Sequence, residues 1–391
     1  MVVTTTGKRA GRQPSINKRP ADMNRPRPAG ADDSLFVYVG TYTDGDSQGI
    51  YVCQLDAATG ELTQTGVAGG VDNPSYLAID AERRRLFAVN ELVSSGQHAG
   101  GRVSAFAIDP VSGRLALLNQ QASGGGAPCY LTVARSGRYI LVANYVGGTV
   151  AVLPVATDGS LGEATAVVVH SGSGPHPQRQ EGPHPHAIVL DPADNYALVP
   201  DLGLDKVMQY RLDQATGKLR ANREPWVAAE PGSGPRHLVF HPTLETAYVI
   251  NELSSTVTVY RYDVQRGALD PAQTLATLPE DFTGANIAAD LHLAPGGRFL
   301  YGSNRGHDSI VRYAVDPVTG TLTYLDCTPT GGQRPRGFAI HPGGAFMLVA
   351  NQDSDNIVTF RLDPTRGTLS PTGHVLAIPS PVCLKFLASS G

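Results

Sequence analysis

Between Gly234 and Leu253 the chain reads Gly-Pro-Arg-His-Leu-Val-Phe-His-Pro, four linking residues, then Ala-Tyr-Val-Ile-Asn-Glu-Leu. Its chemical groups sit only at the ends. Arg236 and His237 precede one apolar run, and Asn251 and Glu252 follow the other. An arginine offers a fixed cation, a histidine a proton-transfer group and a glutamate a base. The apolar runs Leu238 to Phe240 and Ala247 to Ile250, with Pro242 between them, read as a hairpin. In an antiparallel pair the start of one strand and the end of the next share an edge, so Arg236 and Glu252 are expected to be neighbours.

The elements that position these groups are repeated along the chain. A short strand, a turn containing glycine, one further residue and then leucine recur seven times, at Gly60, Gly113, Gly159, Gly217, Gly267, Gly320 and Gly367. A second hairpin precedes six of them, its second strand ending at Asn90, Asn144, Asp201, Asn251, Asn304 or Asn351. The period is roughly 50 residues with four strands in each copy and no helical periodicity, which predicts an all-β, seven-bladed β-propeller of four-stranded blades. The first copy, from Leu35, holds only three strands. The fourth is expected at the other end of the chain, as Val382 to Leu387, so that the C-terminal strand closes the ring in the N-terminal blade. One propeller domain over residues 34–391 follows.

A repeat is its own control. The recurrent asparagines belong to the scaffold, because their side chains bond nearby turn backbone. His241 and His341 share a turn position with Asp80 and Asp191 and read the same way. By contrast, the position of Arg236 reads Ser75, Cys129, His186, Arg236, Ala289, Arg336 and Val382 around the ring. That of Glu252 reads Thr41, Glu91, Tyr145, Leu202, Glu252, Arg305 and Gln352. Both sets face one mouth of the central channel. His186, Arg236, Glu252, Arg305 and Arg336 thus converge on one wall, with Glu91 further round. Taken singly, each has a plain structural reading as a rim ion pair or a solvated charge. Three arginines and a glutamate at one concave mouth suit an anionic ligand better. A metal site in the loop holding His170, His176, His184 and His186 lacks a suitably spaced carboxylate partner. No G-x-S-x-G, phosphate-binding Gly-Lys-Ser/Thr or H-E-x-x-H motif is present.

Composition sets the outer bounds. Of 391 residues, 41% are hydrophobic and 17% charged, with 44 Gly and 29 Pro, an ordered globular balance rich in turns. A net charge of -4 argues against a nucleic-acid or acidic-membrane partner. Four cysteines without C-x-x-C spacing suggest neither zinc nor redox chemistry. Residues 1–33, basic and nearly free of large apolar side chains, are expected to form a disordered tail without a secretory h-region. No later run has the length of a membrane span. The expected location is the cytoplasm.

Several segments in order carry a resemblance: Gly234 to Pro242, Asn251-Glu-Leu-Ser-Ser-Thr-Val257, Ala288-Ala-Asp-Leu-His292, Gly302-Ser-Asn-Arg-Gly-His-Asp-Ser309 and Pro335-Arg-Gly-Phe338. From about Leu35 onward the chain resembles the seven-bladed propeller lactonase family. That family includes the propeller-type 6-phosphogluconolactonases and the 3-carboxy-cis,cis-muconate lactonizing enzymes. The resemblance implies hydrolysis of a small phosphorylated sugar lactone in the pentose phosphate pathway, without a metal or other cofactor. The family's histidine, two arginines and glutamate carry over to His186, Arg236, Arg305 and Glu252. In that reading Glu252 is the base, assisted by His186, and Arg236 or Arg305 stabilises the oxyanion. Arg336 and the remaining arginine bind phosphate, with His184, His237 and Glu91 as further substrate contacts. The chain departs from the family pattern at Cys129-Tyr130, where Cys-His is expected, and at Ala134-Arg135, where Asp-Pro is usual. A muconate-type cycloisomerase, a hydrolase of another sugar lactone and a non-catalytic binding propeller are the rival readings, since this fold hosts many functions.

Overall fold

The second strand of each repeat is its most buried. Tyr139–Asn144, Tyr196–Asp201, Thr246–Asn251 and Phe346–Asn351 are covered along their whole length. A strand apolar on both faces must be covered from both sides. Four-stranded antiparallel sheets stacked in a ring do this, and seven of them account for all but two short strands of the described residues. A computed structural model of the chain describes residues 1–3, 35–95 and 98–388. The tail expected over 1–33 lies outside the described residues except for its first three.

In chain order the blades span 35–68 (blade 1), 77–122 (blade 2), 128–169 (blade 3), 189–228 (blade 4), 235–276 (blade 5), 287–329 (blade 6) and 335–377 (blade 7). Seven apolar clusters form the core, each lying between two consecutive blades. The outermost strands alternate between partly covered and exposed positions, as in Leu369–Ala377. The recurrent turn glycines also work between blades. Gly267, at φ +62, lies so close to the Tyr196 ring of the preceding blade that a Cβ would meet it at 2.2 Å. Only glycine suits both the positive φ and that approach.

Two details differ from the expected four strands per repeat. Blade 2 carries an additional hairpin, Ser94–Ser95 with His98–Ala99. In blade 4 the innermost strand shrinks to Val189–Leu190, preceded by an isolated bridge from Pro185 to Asp201.

Ring closure follows the expected plan. Pro381–Ala388 pairs antiparallel with Leu35–Thr41, giving blade 1 its innermost strand. Val382, Leu384 and Leu387 on that strand are 3–5% exposed. At roughly 1.5–3 kcal/mol per buried side chain they contribute on the order of 5–9 kcal/mol. The whole stability of a folded protein is only about 5–15 kcal/mol. Deletion of residues 379–391 is therefore expected to abolish the cooperative unfolding transition in a thermal melt. A truncated chain melting at the full-length temperature would show that closure is dispensable.

Candidate active site

In four blades one backbone device aims a side chain at the mouth. In blade 5, Pro235 pairs with Asn251 and His237 with Ile250, leaving Arg236 as the extra residue of a bulge. Cys129, Arg336 and Val382 are the extra residues of equivalent bulges in blades 3, 7 and 1. A bulge turns one side chain out of the ladder, here toward the channel mouth. Proline precedes six of the seven mouth positions (Ser75, Cys129, His186, Arg236, Arg336 and Val382). It starts the bulge without forfeiting a ladder donor. That recurrent proline is the sequence signal that could have located the bulges.

Glu252 is 2% exposed and holds ion pairs on both oxygens. Arg236 Nε lies 2.9 Å and Arg305 Nη2 2.8 Å from Oε2. Arg179 Nη2 lies 2.5 Å from Oε1. His186 Nε2 stands 3.9 Å from Oε2, too far for a hydrogen bond but close enough for one water to reach both groups. Arg236 and Arg305 are themselves anchored on backbone. Arg236 Nη1 donates to the Ala289 carbonyl at 2.6 Å. Arg305 Nη2 donates to that of Ala288 at 2.9 Å. Both carbonyls come from an irregular stretch of blade 6, where the register shifts between Ala288 and Leu291. Arg305 Nε has no hydrogen-bond partner among the described residues.

Next to this cluster a cavity of about 300 Å³ is lined by Glu91, Cys129, Tyr145, Arg179, His186, Glu252, Ile287, Arg305, Arg334 and Arg336. Four arginines face two glutamates. Arg336 makes no ion pair among the described residues, and its guanidinium lies 5.4 Å from the centre of the Tyr42 ring. Glu91 accepts from Tyr42 Oη at 3.0 Å and from Ser75 Oγ.

His184 and His237 do not line the cavity. His184 stacks on Tyr145, ring centroids 4.4 Å apart, and its backbone N–H donates to Asp201. His237 lies deeper in the channel. It receives Arg236 Nη1 at Nε2, 3.0 Å away, and its Nδ1 lies 2.9 Å from Asp290 Oδ1. Asp290 also bonds His292 and accepts from the Phe338 amide. Tyr130, the departure from the family pattern, stacks on Tyr76 at this level, 4.2 Å between centroids. The sequence reading missed Arg179, which sits in the long connection before blade 4 rather than at a repeated position. It also missed Asp290, one residue past the compared alanine.

Burial alone would push the Glu252 carboxyl up, but Arg305, Arg236 and Arg179 outweigh it and hold it well below the usual carboxylate range. Burial, reinforced by Arg236, pulls His186 well below the ordinary imidazole value, so its ring is neutral near pH 7. His237 is pulled down to about 3 by burial and Arg236. It is a neutral ring donating through Nδ1 to Asp290 and accepting from Arg236. Burial and Glu91 push the Cys129 thiol up, so it stays protonated and is no nucleophile. Among the described residues, no cluster of three or more His, Cys, Asp or Glu side chains is placed to hold a metal ion.

Residues 36–386 match the family described as Lactonase, 7-bladed beta-propeller. The chain is 38% identical over 350 residues to the 6-phosphogluconolactonase of Bacillus subtilis, covering 90% of this chain and 97% of that protein. It superposes on the periplasmic gluconolactonase of Pseudomonas aeruginosa with a TM-score of 0.87 at 41% identity, covering 91% of this chain and all of the other. A putative 6-phosphogluconolactonase from Bacteroides fragilis gives 0.85 at 39% identity, over 92% of this chain and 100% of that one. Among the described residues no helix is long and apolar enough to cross a membrane.

The lowered histidines make stability depend on pH. Between the folded value of about 3 for His237 and the ordinary 6.5 of an unfolded histidine, the unfolded chain binds the extra proton. Stability is then fully present above pH 7 and falls as the pH drops below 6.5, by about 2 kcal/mol at pH 5 for His237. His186 acts in the same direction. Unfolding midpoints are expected to be level from pH 8 to 7 and to decline steadily below 6.5. The decline should be shallower in His237→Gln. An equal slope in that variant would remove His237 from the account.

Proposed function

The chain belongs to the seven-bladed β-propeller lactonases and is a lactonase hydrolase, and from that premise we propose that it hydrolyses 6-phospho-D-glucono-1,5-lactone to 6-phosphogluconate. One observation carries this reading. A buried carboxylate, Glu252, stands beside a neutral histidine in a cavity where four arginines face two glutamates. Such a surplus of positive charge suits an anionic lactone. The mildly acidic protein as a whole would not attract one, so this local cluster must.

A water within reach of His186 Nε2 and Glu252 is the nucleophile. As its oxygen bonds the lactone carbonyl carbon, its proton passes to this pair. Arg305, with an unpartnered Nε on a buried guanidinium, stabilises the oxyanion that forms, an effect of roughly 3–4 kcal/mol for one well-placed donor. The oxyanion collapses, the bond from the carbonyl carbon to the ring oxygen breaks, and that oxygen takes a proton from the acid–base pair. The products are a free hydroxyl and a carboxylic acid, which ionises. Arg336, without a carboxylate partner, binds the phosphate. Arg236 keeps Glu252 ionised and in place. The likeness to a protein named a gluconolactonase favours a second reading, in which the lactone is unphosphorylated.

Acid release from fresh 6-phosphogluconolactone, D-glucono-1,5-lactone and a carboxymuconate separates these readings and the cycloisomerase. Fastest turnover of the first is expected. For Glu252→Gln, kcat is expected to fall by about 100-fold or more with little change in KM. Glu91→Gln, the same chemical change at the matching place in blade 2, should lose far less. A Glu252→Gln enzyme that keeps most of its kcat takes Glu252 out of the mechanism.

A further inference from the structure

Three arginines hold Glu252, and they are not equivalent. Arg236 and Arg305 are each 3% exposed and each also grips a blade 6 carbonyl. Arg179 is 33% exposed. Among the described residues it donates to no backbone carbonyl, its other partner being Tyr145 Oη at 3.3 Å. It is also, among those residues, the arginine whose ion pair is with Oε1. Removing one partner of a fully buried, anchored pair leaves an uncompensated charge, whereas a part-exposed guanidinium can be met by water when it leaves its carboxylate. Arg179 is the guanidinium that can leave.

The backbone under it is built to stay. Gln180, the next residue, is fully buried. Its side chain donates to the Leu202 carbonyl at 2.8 Å and accepts from the His176 amide at 2.9 Å. Its own carbonyl accepts from Gly174 N, 2.9 Å away. The Arg179 side chain can therefore change rotamer, a fast motion for a part-exposed group, while its Cα stays put. In its present place it occupies Oε1, the oxygen of Glu252 that no other arginine pairs with. Arg179 also lines the cavity together with Arg336.

We propose that Arg179 is an exchangeable guard on Glu252: the anionic group of an arriving substrate draws its guanidinium off Oε1 and onto itself, so that anion binding and release of the base are one event. The phosphate is then held between Arg179 and Arg336, and Oε1 becomes free to take the proton of the attacking water. This rests on the reading of the site as one for a phosphorylated sugar lactone, and it places the preference for the phosphorylated substrate in Arg179. A neutral lactone leaves the guard in place and meets an occupied base.

The test is steady-state kinetics of wild type, Arg179→Ala and Arg179→Lys on 6-phosphogluconolactone and D-glucono-1,5-lactone. Calorimetric binding of 6-phosphogluconate and gluconate and melting temperatures accompany it. In Arg179→Ala, kcat/KM for the phosphorylated lactone is expected to fall at least tenfold, mainly through KM. The kcat for the neutral lactone should rise, and Arg179→Lys should restore part of the phosphate preference. Equal changes on both substrates, a fall in kcat for the neutral lactone, or no change at all would each overturn the guard. The binding arm separates the two ideas. Wild type that turns over neither lactone, yet prefers 6-phosphogluconate to gluconate through Arg179, ends the lactonase substrate reading and leaves the anion exchange standing. Turnover of the phosphorylated lactone with that preference unchanged in Arg179→Ala ends the exchange alone.

Discussion

Burying the charge of Glu252 is the constraint on which the site depends. A carboxylate withdrawn from water loses several kcal/mol of solvation, recovered only through close partners. Arg236 and Arg305 supply them at 2.9 and 2.8 Å on one oxygen. Their own buried donors then need acceptors, and the irregular strand of blade 6 offers two adjacent carbonyls, Ala288 and Ala289. The next requirement passes to His237, whose ring accepts from Arg236 and donates to Asp290. Asp290 in turn reaches the Phe338 amide of blade 7. Compensation of one charge thus runs through blades 5, 6 and 7, which ties the chemistry of the mouth to the assembly of the ring.

The ring keeps scaffold and site apart. Each blade is held to its neighbours by an apolar cluster and by the approach of a turn glycine to the preceding blade, contacts that need no polar group at the mouth. The bulge at the start of an innermost strand then presents one residue whose identity the packing does not dictate. Valine, cysteine and, twice, arginine occupy that position in blades 1, 3, 5 and 7. This freedom is why one architecture can carry many sites. Here it carries a cationic wall around the buried Glu252 carboxylate.

Electrostatics also sets the charge states around Glu252. An anion surrounded by three guanidinium groups is stabilised as an anion and is a poor proton acceptor. Burial, reinforced by Arg236, keeps His186 neutral, so the site holds one group that is ionised beside one that is uncharged. Their placement 3.9 Å apart lets them share a water. Cys129 at the same rim is excluded from covalent chemistry, because burial and Glu91 keep its thiol protonated.

Much of the molecule is decided by local sequence. The seven Gly-x-Leu turns, the alternating strands and the orphan strand at Val382 to Leu387 specify a closed seven-bladed ring, because turn chemistry and the two-residue period act over a few neighbours. The comparison of blades also singles out Arg236, Glu252, Arg305, Arg336 and His186, since pseudo-symmetry converts position in the repeat into position at the mouth. What that comparison could not see depends on contacts between distant residues. Arg179 reaches Glu252 across 73 positions from a connection that has no counterpart in other blades. His237 follows Arg236 directly, yet faces down the channel, because the bulge sends adjacent side chains to different levels. Asp290 becomes its partner only through the shifted register of blade 6. A repeat records which residue stands at each edge, but the depth of each side chain, and hence its charge state, is set by how the edges meet.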